Sequence, residues 1–209
     1  MVFLTEFLVI ALIHFLALVS PGPDFAMISR SSLAYSRRTG VLCALGLALG
    51  ILVHVTYSLV GIGFIIARSI LLFSVIKYLG AGYLLFIGWK SLKARRPIIG
   101  NACTMISERN LPAFAAIRTG FLTNVLNPKV TLFFLGLFTQ VIRPATPLWL
   151  QILYGVEMSL MTFLWFAFVA TILSHRVIRG YFLSVQHIVE RCCGALLIAL
   201  GLHVALDRR

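Results

Sequence analysis

From Pro147 to Leu173 the chain reads PLWLQILYGVEMSLMTFLWFAFVATIL, twenty-seven residues with one charged side chain, Glu157. A helix of about 20 mostly apolar residues crosses the hydrocarbon core of a bilayer. Six runs of this kind occur, at roughly 4–29, 41–66, 70–92, 119–142, 147–173 and 186–206. Hydrophobic residues make up 60% of the 209 and charged residues 11%, with a mean hydropathy of +1.01. Soluble domains carry about 25% charged residues. The chain therefore reads as an all-α membrane protein, with residues 1–209 forming a single integral-membrane domain. The N-terminal MVFLTEF has no basic region, and the first apolar run ends at PGPD instead of a small-residue cleavage site. The run 4–29 is thus read as a span and not as a signal peptide. Spans two and three are the least clearly separated, with only Arg68 and Lys77 between them and a short turn expected near 67–74.

The net charge of +12 comes from 18 basic and 6 acidic residues. They are spread over several short loops and form no single stripe with aromatics, so nucleic acid is not the expected partner. Cytoplasmic loops are enriched in lysine and arginine. Arg30, Arg37 and Arg38 follow span one; Lys90, Lys93, Arg95, Arg96, Arg109 and Arg118 follow span three; Arg176, Arg179 and Arg191 follow span five. These are 12 of the 18, against 5 on the other side (Arg68, Lys77, Arg143, Arg208, Arg209). Loops one, three and five are therefore expected in the cytoplasm and both termini outside.

The loop at about 93–117 divides the chain into halves of about 1–92 and 118–209, with three spans each. An odd number of spans per half makes any internal repeat an inverted one. Pro23 and Gly50 are 27 residues apart, as are Pro128 and Gly155, and LGAGYLLFIG is echoed by CGALLIALG. Gly46 and Gly50 form a small-residue face suited to close helix packing. Such faces are also the signal for a homodimer.

Two spans contain helix breakers. Pro21-Gly22-Pro23 interrupts span one and Asn127-Pro128 interrupts span four. Proline removes a backbone donor and clashes with the preceding turn. The polar groups so freed survive in a membrane only against protein or a wet cavity. Breaks at corresponding places in two halves are the pattern of a transporter's central site. Each break is followed at once by a charge, Asp24 and Lys129. Either these two face each other across a cavity, or each turns to the inner membrane surface. Glu157, close to mid-span, is expected to carry a proton, bind a ligand amine, or pair with Lys129 or a histidine. His14 and His54 are read as hydrogen-bonding to neighbouring helices.

Cys43, Cys103, Cys192 and Cys193 have neither metal-ligand spacing nor a disulfide framework. No GxSxG, HExxH or GxxxxGK[ST] motif is present. No metal, cofactor or enzymatic constellation is expected, and a pump of this kind would run on an ion gradient. A membrane-embedded enzyme is the weaker alternative. Efflux of another small solute or a cation is the closer one.

The motifs SPGPDF followed by SRRTGVLCALGLALG, then KYLGAGYLLFIGWKSL, then GFLTNVLNPKVTLFF, resemble in order and spacing the LysE/RhtB family of bacterial amino-acid exporters. The resemblance covers nearly the whole chain and is strongest to the homoserine/threonine efflux branch. It implies a six-span inner-membrane exporter of amino acids or their derivatives, coupled to proton entry. It also implies a transport centre at Pro21, Gly22, Pro23, Asp24, Asn127, Pro128 and Lys129, to which Asn124 and the mid-span Glu157 are added as candidate members. The implied partners are an amino-acid substrate, protons and the bilayer.

Overall fold

A computed structural model describes residues 2–20, 22–68, 70–93, 110–141 and 146–206. Among these the secondary structure is entirely helical. The helices are α1 (Val2–Val19), α2 (Pro23–Ala34), α3 (Arg37–Arg68), α4 (Ile70–Leu92), α5 (Ala113–Val125), α6 (Pro128–Val141), α7 (Leu148–Ser174) and α8 (Arg176–Leu206). Among the described residues α7 and the Arg37–Gly61 part of α3 are long and apolar enough to cross a membrane unaided. Two bent pairs, α1 with α2 and α5 with α6, each meet that test as a unit, and each bends by 57°.

The bends fall at the expected prolines. Pro23 opens α2, where its fixed φ suits the first helical position and its missing N–H costs nothing. At the second break Asn127 precedes Pro128, and its Oδ1 accepts from the Lys129 amide at 3.0 Å. That is an N-cap, satisfying a donor that α6 would otherwise leave open.

Three boundaries differ from expectation. The turn expected near 67–74 is narrower, since α3 runs to Arg68 and α4 starts at Ile70. Helix α5 starts at Ala113, inside the expected loop, because FAAIRTG carries no breaker. Helix α8 starts at Arg176, ten residues before the expected span, since RVIRGYFLSV contains no proline to stop it.

Packing is closest where glycines meet. A Cβ on Gly46 would lie 2.0 Å from the Ile117 carbonyl oxygen, and one on Gly120 2.0 Å from that of Cys43. Helices α3 and α5 therefore cross backbone against backbone, as small residues allow in membrane bundles. Gly88 and Gly194 bring α4 and α8 together in the same way. These glycine faces, which carried the homodimer signal, are occupied by neighbours within the chain. Gly82 remains open.

The surface is inside-out for a protein in water. Leu4, Leu8, Leu12 and Phe15 form an exposed stripe on α1, and Leu153, Val156, Leu160, Leu164 and Phe168 one on α7. Asp24, His14, His54, Asn124, Asn127, Thr162 and Glu190 are buried instead. Apolar outside and polar inside is the distribution that lipid requires and water penalises.

Candidate functional site

The two breaks meet. Asp24, in the first turn of α2, is 8% exposed. Its Oδ2 accepts from Asn124 Nδ2 at 2.8 Å and its Oδ1 from Asn127 Nδ2 at 3.0 Å. Asn124 ends α5 and Asn127 caps α6, so the second break supplies two neutral donors to the acid of the first. A buried carboxylate needs such donors, because its desolvation is otherwise too costly.

Lys129 answers in the other direction. Its Nζ donates at 2.9 Å to the carbonyl of Ser20, a group that the end of α1 leaves without a helical partner. Its charge also acts on Asp24, and the two side chains line one cavity, with the ammonium anchored on the break. Gly22 admits it, since a Cβ there would lie 3.2 Å from Lys129 Cδ and 3.3 Å from Nζ. Ser20 Oγ in turn shares a hydrogen bond of 2.8 Å with Ser91 Oγ of α4.

Behind this layer His54 of α3 closes the second break. A carbonyl can only accept, so the 3.0 Å contact between Asn124 O and His54 Nε2 fixes the proton on Nε2. Nδ1 then accepts from Tyr57 OH at 2.6 Å. His54 is thus bonded to a neighbouring helix, as expected, but at the break itself. Gly46, Gly50 and His54 recur every fourth residue on one face of α3. The space at Gly50 is filled by Asn124, whose Oδ1 would stand 2.6 Å from a Cβ. This stride was the available signal for His54. Glu190 had none: it is 4% exposed, receives Gln186 Nε2 at 2.6 Å, and its field reaches Lys129.

Asp24, Gly22, Asn127 and Lys129 line one cavity with Ser20 and His14, closed by Leu18, Phe25, Ile51, Phe133, Phe134 and Phe166. Its volume is about 40 Å³, room for a few waters and less than an amino acid needs. Helix α2 opens onto it without a side-chain cap.

Of the expected site residues, Pro21 lies outside the described residues, while Pro23 and Pro128 make the bends. Glu157 is not brought to this cavity. It lines a separate, outward-facing groove of about 630 Å³ with Phe7, Phe15, Trp165 and Phe168. Both its carboxylate oxygens are buried without a hydrogen-bond partner among the described residues. The expected bond to Lys129 or a histidine is not made, because α7 turns residue 157 towards the outer side of α1.

The model of the LysE type translocator family matches residues 15–208. The chain belongs to that family. A LysE-type translocator is a membrane transporter and not an enzyme. Among its relatives is the threonine efflux protein of Escherichia coli K12, 27% identical over 206 residues, covering 97% of this chain and 98% of that one. The uncharacterized membrane protein YahN of the same organism is 28% identical over 188 residues, or 90% and 83% of the two chains. The uncharacterized membrane protein YrhP of Bacillus subtilis is 28% identical over 195 residues, or 90% and 93%. No solved structure matches this translocator.

Proposed function

We propose that this translocator exports an amino acid or a close derivative, threonine- or homoserine-like, across the bacterial inner membrane in exchange for protons. The observation that carries the reading is one cavity holding Asp24 between two amides, Lys129, and the uncapped start of α2. A zwitterion needs both signs of charge at short range. Its ammonium would bind Asp24, and its carboxylate Lys129 and the α2 amides. Asn124 and Asn127 hold the acid in place. A proton arriving at Asp24 from outside would cancel the contact with the ammonium and release the substrate. The cavity of about 40 Å³ is smaller than an amino acid, so in this reading the bent pairs would move apart to load it.

The same reading has six spans in two inverted halves, with α4 and α8 as the third and sixth. Equal bends of 57° in both halves support it. So do α3 against α7 and α4 against α8, the pairings that a two-fold axis between the halves maps onto themselves. A homodimer would use the lipid-facing surface, where Gly82 stands open.

Uptake of labelled amino acids into inside-out vesicles, with and without a proton gradient, tests the function. We expect gradient-driven accumulation that is lost in Asp24→Asn and in Lys129→Ala. Full rates in both variants, inserted at normal levels, would overturn the reading. Transport without preference for any amino acid would favour efflux of another small solute.

A further inference from the structure

We propose that His14 reads a hydroxyl on the side chain of the transported amino acid, a role that rests on the exporter reading above. His14 is 2% exposed and lies in the wall of the cavity that holds Asp24 and Lys129. Its proton is placed by a neighbour. Thr162 Oγ1 donates its single hydrogen to the Met158 carbonyl at 2.9 Å. Towards His14 that oxygen can only accept, so the 3.4 Å contact with Nε2 puts the imidazole hydrogen on Nε2. Nδ1 is left as a bare acceptor, buried and with no hydrogen-bond partner among the described residues.

Two aromatic rings flank the imidazole. The Phe133 and Phe134 rings lie 6.0 and 6.2 Å from the imidazole, centroid to centroid. A buried acceptor calls for a donor from the ligand or from water. The substrate's ammonium is claimed by Asp24 and its carboxylate by Lys129, so the donor that remains is a neutral one on the side chain. That side chain is a short one, since His14 lines the same cavity as the Asp24 and Lys129 that hold the ammonium and carboxylate. A hydroxyl-bearing amino acid meets both conditions, while its apolar isostere leaves Nδ1 unpaired. Sites built to bond a hydroxyl reject the analogue lacking it far more strongly than apolar pockets reject an added one.

L-threonine and L-valine differ by this hydroxyl at nearly constant shape, and their uptake into inside-out vesicles provides the test. The wild type is expected to favour threonine by about tenfold in apparent affinity. His14→Leu should bring the ratio near unity by weakening threonine alone. His14→Asn carries an acceptor close to the position of Nδ1 and should restore the preference. An unchanged ratio in His14→Leu overturns the proposal, as does an equal loss of both substrates in the Leu and Asn variants, which marks a packing role. A wild type that moves both amino acids equally refutes the hydroxyl reading alone. A wild type that moves neither refutes the exporter reading with it.

Discussion

At the scale of single residues, Asp24 and Glu157 are two acids in membrane-spanning helices with different settings. Asp24 has two amide donors and a nearby ammonium; Glu157 lies in an apolar groove with no hydrogen bond among the described residues. Hydrogen bonds to charged groups are worth about 1.5–3 kcal/mol. Asp24→Asn should therefore lose gradient-driven accumulation, with binding of the amino acid weakened about 10- to 100-fold, whereas Glu157→Gln should leave both unchanged. A gentler perturbation acts at Gly22. Its Cβ position is 3.2 Å from Lys129 Cδ, so Gly22→Ala must push the lysine away from the Ser20 carbonyl. A strain of about 1 kcal/mol, or roughly a fivefold loss of affinity, is expected, with normal amounts of protein in the membrane.

At the scale of helices, the glycines divide into those that hold the bundle and those that do not. Gly46→Ala would drive a methyl group into the Ile117 carbonyl, 2.0 Å away. The cost should be about 2–3 kcal/mol, seen as a lower melting temperature in detergent. Gly82→Ala meets nothing within 4 Å and should instead gain about 0.5–1 kcal/mol from helix propensity. These contacts also mark what the sequence could tell. Proline is a local signal, so the breaks at Pro23 and Pro128 were legible, with the charges that follow them. Hydropathy locates membrane thickness but not helix ends, which is why α8 begins at Arg176 in a polar stretch. Partnerships between helices depend on rotation about each axis, to which composition is blind. Hence Glu157 was grouped with Lys129 by depth, while α7 turns it to another face. The bond of His54 to the broken end of α5 was encoded only as a stride of four from Gly46 and Gly50.

At the scale of the whole molecule, sidedness is a prediction from charge counting, and two sets of contacts bear on it. Ser36, between α2 and α3, donates to Asn110 Oδ1 before α5, and Thr39 Oγ1 accepts from the Leu111 amide at 3.3 Å. Loops one and three therefore lie at the same end of the bundle. Near the other end of α1, Glu6 Oε2 accepts from Thr146 Oγ1 at 3.2 Å and Tyr154 OH at 3.3 Å, which puts the N-terminus beside the start of α7. The 12-to-5 bias in basic residues leads us to propose the cytoplasm for the first end. In a chain whose four cysteines are replaced by alanine, an impermeant maleimide applied to intact cells should label Phe3→Cys and Leu148→Cys. Asn110→Cys should react only after the membrane is opened. The reverse pattern would invert the molecule, and with it the direction in which a proton must reach Asp24 to drive export.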